Sequence, residues 1–213
     1  LDENAGTDGW LLQMETFDPH EPFHAPAGYR DGDTGYTGPV LDWPRYKRVD
    51  ETPEEVAELR ANYAALVRLC DAQLGRILDH LDAHGGWDDT AIVMTTDHGF
   101  LLSEHDWWAK IRMPFYNEVA QIPLMIYHPQ SPYKGKHYSH PVELIDIYPT
   151  VLDLVQVDGD REQVCRKGHL CRRLQGKSRA ALVLGKPLPP HLAKSAEYSE
   201  PRSCLLYTSP SPR

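Results

Sequence analysis

One uninterrupted helical period dominates this sequence. Thr52-Pro53-Glu54-Glu55 carries the start signal: a threonine able to cap, a proline suited to the first helical position, and Glu55 completing a capping box. Val56, Leu59, Tyr63, Leu66, Cys70 and Leu74 recur at helical spacing, the stripe runs on through Ile77, Leu78 and Leu81, and Gly85-Gly86 ends it. The pattern predicts a helix of about thirty residues, roughly 45 Å long at 1.5 Å per residue. Its apolar stripe calls for a sheet to pack on. Trp10 to Phe17 before it reads as a buried strand, and Ala91 to Thr96 after it as a strand buried on both faces. Strand, long helix and strand form a crossover unit, which implies parallel strands in one sheet. The fold class that follows is α/β, with a central, largely parallel or mixed sheet flanked by helices.

Both apolar runs stop at residues with chemistry. The second ends at Asp97-His98-Gly99, where Gly99 lets the backbone turn away. Ligands of open α/β sheets bind at the carboxyl ends of strands. An adjacent oxygen and nitrogen donor suit a divalent metal. Glu104-His105, Trp107, Trp108 and Lys110 follow, and Lys110 is a cation able to meet an anionic substrate. The first run ends at Asp18-Pro19-His20-Glu21-Pro22, where a lone loop histidine is ordinarily a surface residue. Residues 25 to 51 lack periodicity and read as a long loop, of the kind that is functional or mobile. His80 and His84 lie one helical turn apart. With no third ligand in the pattern, they read as exposed histidines near a helix C-terminus, which favours positive charge.

Pro123 to His128 is a third predicted strand, and Gln130 to Ser139 a polar loop. Asp146 is placed to cap a helix whose first turn holds Pro149. Cys70 falls on the apolar side of the long helix, as a core residue. Cys165 and Cys171 flank His169 in a basic loop, as a short disulfide, a weak metal site or two loop thiols. Residues 195 to 202 read as the start of another strand. Residues 203 to 213, including Cys204, read as a non-native tail, so that residues 1 to 202 form one domain. At 213 residues the chain is long enough for a real core. A net charge of -9 with no offsetting basic face argues against nucleic acid as a partner. No apolar run approaches the roughly eighteen residues of a membrane span. The first residue is Leu1, and the chain reads as a fragment whose compartment and oligomeric state are not legible.

Several motifs in order resemble the sulfatase family, within the alkaline-phosphatase-like superfamily. They are Asp97-His98-Gly99, Ser103-Glu104-His105, Trp108-Ala109-Lys110, Phe115-Tyr116-Asn117-Glu118-Val119 and Ile122-Pro123-Leu124. Val142 to Leu154, with Asp146 and Pro149-Thr150, and Gln175-Gly176-Lys177-Ser178 add to the likeness. The resemblance implies metal-dependent hydrolysis of sulfate esters, with sulfated carbohydrates as one candidate class, by an alkaline-phosphatase-like domain truncated at both ends. It implies Asp97 and His98 as ligands of a divalent metal, Ca2+ first, with Mg2+ or Mn2+ as alternatives. Lys110 would grip the sulfate, and His20 would stabilise or protonate the leaving oxygen. Glu104 and His105 would orient ligands or form a polar turn. Trp108 would line the pocket or pack in the core. The family nucleophile is a formylglycine made in a Cys/Ser-x-Pro-x-Arg motif, which this sequence lacks, as it lacks the family's early Asp pair. Such a fragment is expected to be inactive alone. Two other readings stay open: a phosphodiesterase or phosphonate monoester hydrolase of the same superfamily, and a non-catalytic homologue that binds a sulfated ligand.

Overall fold

A computed structural model describes residues 1–4, 6–138, 142–155, 178, 180–184 and 205–207. The chain forms two compact units. One comprises Leu1–His84 and Phe100–Tyr116, the other Gly85–Gly99 and Asn117–Arg213. The cysteine loop around His169, the residues 175–177 and the run 195–202 lie outside the described residues.

The first unit is built on helix α1, Pro53–His84. Its capping box is formed: Glu55 N–H donates to Thr52 Oγ1 at 3.3 Å, and Thr52 N–H donates to the Glu55 carboxylate at 2.8 Å. Gly85 follows it in the left-handed region, with φ of 69°. Leu59 and Leu66 are fully buried against Phe23, Trp108 and Ala109, and each contributes roughly 2 kcal/mol by leaving water. The cover over this stripe is a small hairpin and a loop. Strands β2 (Leu101–Leu102) and β3 (Trp108–Ala109) pair antiparallel, Leu101 with Ala109 and Leu102 with Trp108. Arg60 Nε donates to the Leu102 carbonyl at 2.7 Å and ties helix to hairpin. Phe23 meets Tyr63 and Phe100 edge-on, with centroids 5.2 and 5.5 Å apart. The segment from residue 25 to 51 is a loop, as expected, with one short 3-10 turn at Ala27–Tyr29. Cys70 is a free thiol, half-buried, and burial raises its pKa.

Trp10 to Phe17 is not a buried strand. It has no regular structure, and Leu11 and Phe17 are 75% and 71% exposed. A strand needs a neighbour to take its ladder hydrogen bonds, and among the described residues none pairs with this segment. The crossover unit and its parallel pairing go with it.

The second unit holds a four-stranded sheet of order β1-β4-β6-β5. Strand β1 (Ile92–Thr95) runs antiparallel to β4 (Pro123–Tyr127), with Val93 opposite Ile126. Strand β6 (Leu205–Tyr207) lies parallel to β4 and antiparallel to β5 (His137–Tyr138). The sheet is therefore mixed, with antiparallel pairing predominating. Strand β5 falls inside the run read as a polar loop, and β6 falls inside the run set aside as a tail. Strand β1 is half-buried instead of buried on both faces. Leu124 and Ile126 form the core with Val142, Leu154, Ala180 and Val183. Tyr127 packs edge-on against Trp87 and donates its hydroxyl to the Trp87 carbonyl at 2.8 Å.

Among the described residues, three α-helices complete this unit: α2 (Asn117–Ala120), α3 (Ile147–Leu154) and α4 (Ala180–Val183). The capping box of the α3 region sits one turn earlier than expected. It joins Glu143 to Asp146 across the 3-10 turn Leu144–Asp146. Among the described residues, no helix is long and apolar enough to cross a membrane.

Candidate functional site

The Asp97-His98 pair follows directly from the end of β1. Thr95 Oγ1 donates to the Pro123 carbonyl at 2.9 Å and holds the strand end to β4. The His98 N–H donates to Asp97 Oδ1 at 2.8 Å. His98 Nδ1 lies 2.9 Å from the Gly99 carbonyl, so it carries the proton, and Nε2 is left with a free lone pair. That Nε2 stands 3.4 Å from Asp97 Oδ2. Two ligands of one ion, each about 2.1 Å from it, lie roughly 3 to 3.5 Å apart. The separation is one that two ligands of a single ion could adopt, and a backbone carbonyl orients the imidazole, as it usually does in metal-bound histidine. Partial desolvation acts to raise the Asp97 pKa. When His98 also carries a proton on Nε2, its charge, together with its backbone N–H, outweighs burial and holds the Asp97 carboxyl below its usual range, so that it stays ionised near neutrality. Asp97 is exposed, at 77% of its side chain.

Gly99 is required here for a reason other than a turn. Its N–H donates to the Val119 carbonyl at 2.8 Å. A Cβ on it would stand 1.9 Å from the Glu118 carbonyl oxygen. The chain after the pair thus runs hard against the start of α2, where only glycine fits.

His20, Glu104, His105, Trp108 and Lys110 belong to the first unit, while Asp97 and His98 belong to the second. His20 Nδ1 lies 2.7 Å from the Glu21 carbonyl, so its Nε2 is again the free nitrogen, and its ring packs 4.5 Å from that of Phe17. Beside it is a residue the sequence reading passed over. The Glu21 side chain is 1% exposed, and its Oε2 has no hydrogen-bond partner but lies 3.4 Å from His20 Nδ1. Its other oxygen accepts from the Tyr46 hydroxyl, whose pKa is pushed up to about 12 by burial first and by this carboxylate second. The signal available was the adjacency of Glu21 and His20 in a proline-bounded turn, where a carboxylate has little room to leave the imidazole.

Lys110 follows a contorted stretch. Ser103, His105, Asp106, Ala109 and Ile111 all have φ between 55° and 86°, each costing on the order of 1 kcal/mol or more. The conformation is held by bonds on every side. Leu102 N–H donates to the Glu104 carboxylate at 2.5 Å, Val49 N–H to the Asp106 carbonyl at 2.9 Å, and Trp108 N–H to the Lys47 carbonyl at 3.0 Å. Lys110 is 8% exposed, with Nζ 5.9 Å from the Phe100 ring centroid. Among the described residues no carboxylate lies within ion-pair distance of it. A buried cation without a counter-charge is costly, and an anionic ligand would supply that charge. Glu104 shapes the turn and reaches Arg60 at 3.9 Å. His105 stacks on Tyr116, with centroids 3.9 Å apart. Trp108 is fully enclosed and donates Nε1–H to Glu51 at 2.7 Å, which makes it a packing residue of this unit. The long loop also walls a cavity of about 320 Å³ lined by Phe23, Arg30, Tyr36, Leu41 and Glu58. Arg30 is neutralised there by Glu58.

A family model described as Sulfatase matches residues 1–157, which include every one of these side chains. The chain belongs to the sulfatase family. It is 39% identical over 106 residues to arylsulfatase K of Danio rerio, covering 50% of this chain and 20% of that protein. It is 38% identical over 97 residues to an N-acetylglucosamine-6-O-sulfatase of Bacteroides thetaiotaomicron, covering 46% and 17%. Among solved structures it resembles a phosphonate monoester hydrolase from Silicibacter pomeroyi. That likeness has a TM-score of 0.51 and 28% identity and covers 67% of this chain and 25% of that one. An α/β fold accords with these matches. The chain spans about a fifth of the length of these curated sulfatases, and the motif that makes the family's nucleophile is not among its residues.

Proposed function

We propose that this chain is part of a metal-dependent sulfuric ester hydrolase acting on sulfated small molecules or carbohydrates. The observation that carries the reading is the donor edge formed by Asp97 Oδ2 and His98 Nε2. Asp97 and His98 would hold a divalent ion, Ca2+ first, with Mg2+ or Mn2+ as alternatives. When bound, that ion supplies positive charge for the sulfate oxygens and lowers the barrier to attack at sulfur. The nucleophile, a formylglycine in this family, would come from sequence outside these 213 residues.

The remaining roles fall to the chain's own side chains. Lys110 is a buried ammonium that pairs with a sulfate oxygen and offsets the negative charge of the transition state. His20 Nε2, protonated, donates its proton to the ester oxygen as the sulfur–oxygen bond breaks, and the alcohol leaves neutral. Glu21 stands against the far side of that imidazole and steadies it. In the complete protein, Lys110→Ala is expected to lower kcat/KM for an aryl sulfate about a hundredfold or more. Unchanged kinetics would remove Lys110 from the reaction.

A second reading is a phosphonate monoester or phosphodiester hydrolase, favoured by the resemblance to the Silicibacter pomeroyi enzyme. A complete protein that cleaves phenyl phosphonate and releases no sulfate from any ester would establish it over the first.

A further inference from the structure

The helix that dominates the sequence carries a second set of donors, none of them used above. His80 and His84 are four apart on α1 and so share one face. Their rings stack with centroids 4.1 Å apart. The third ligand absent from the sequence pattern is Asp2, brought to the same place by the 3-10 turn Asp2–Asn4. One ligand atom from each of the three residues lies within 4.8 Å of the others.

The tautomers and distances suit a metal. His84 Nδ1 lies 2.8 Å from the His80 carbonyl. That bond places the proton on Nδ1 and leaves Nε2 as a lone-pair donor, with its ring oriented by the carbonyl. His80 Nε2 stands 3.5 Å from Asp2 Oδ1, close to the separation of two ligands about 2.1 Å from a tetrahedral ion. A single His-Asp ion pair would account for that distance. It would not account for a second imidazole stacked on the first whose outer nitrogen has no hydrogen-bond partner among the described residues.

We propose that Asp2, His80 and His84 form a site for a borderline divalent transition metal of the Zn2+ class. Two imidazoles and one carboxylate supply three ligands, and water fills the fourth position. The site pins the segment before the first apolar run to the C-terminal end of α1. It is independent of the Asp97-His98 pair and of the reaction proposed above.

Calorimetric titration of the metal-free 213-residue chain with ZnCl2 tests it. A zinc equivalent is expected to bind that survives the double substitution Asp97→Ala/His98→Ala and weakens about a hundredfold in His80→Ala and in His84→Ala. Zinc binding that is unchanged in the two helix variants, or that vanishes with Asp97 and His98, overturns the proposal. Histidine carbethoxylation of the wild-type chain, read by mass spectrometry, decides the matter even if a variant fails to fold. Zn2+ should protect His80 and His84, and equal modification with and without Zn2+ overturns the site.

Discussion

Glu21 concentrates the residue-scale physics. A carboxylate oxygen that is buried, unbonded and 3.4 Å from an imidazole is costly to keep unless that imidazole has work to do. Glu21→Gln keeps an acceptor for Tyr46 and removes the charge. It is expected to lower kcat/KM of the complete protein about tenfold while leaving thermal stability equal or higher. Full activity with reduced stability would make Glu21 a structural residue only. Gly99 poses the opposite problem, since its place is fixed by space. Gly99→Ala must displace the Glu118 carbonyl, and should cost about 1–3 kcal/mol in urea unfolding together with a loss of metal affinity at Asp97-His98. An unchanged midpoint would mean that the backbone there yields freely. At this scale the sequence offered candidate donors but not their setting. Asp97, His98, His20 and Lys110 could be named from their order along the chain. Glu21 and the reason for Gly99 depend on close approaches between segments that no local pattern records.

Among the elements, α1 was the most legible, because capping box, periodicity and terminal glycine all point to the same boundaries. Its partner was not. Periodicity says that a stripe must be covered, not by what, and the hairpin Leu101–Ala109 has two-residue strands joined through Ser103, His105 and Asp106 at positive φ, which carry no strand signal. The exposed run at Trp10 to Phe17 failed for a related reason, since an apolar run cannot report whether a neighbouring strand is present. Helix α1 also carries a pH-sensitive tie. Arg30 donates to Glu58 at 2.8 Å and holds its carboxyl at about 2 against an ordinary 4.5. Burial opposes this, and hydrogen bonds from Thr34 and Asn62 assist it. A depressed folded-state pKa contributes stability that is whole above about 4.5 and is lost as pH falls toward about 2. The wild-type unfolding free energy should therefore drop by something on the order of 2 kcal/mol across that window beyond the drop in Glu58→Gln. Parallel pH profiles for the two proteins would remove the tie.

For the whole molecule, the family was readable because its motifs are short, polar and local, and they recur in order from Asp97 to Leu124. Sheet topology was not, because strand direction is decided by pairings between distant segments: β4 meets β1 antiparallel and β6 parallel. The account stands on one claim, that Asp97 and His98 hold a divalent ion needed for cleavage of a sulfate ester. Sulfate release from an aryl sulfate by the complete protein, measured before and after chelation, tests it most directly. The account predicts that chelation abolishes release, that a divalent metal restores it, and that Asp97→Ala cannot be restored. Release that persists in chelator, or survives intact in Asp97→Ala, would contradict it.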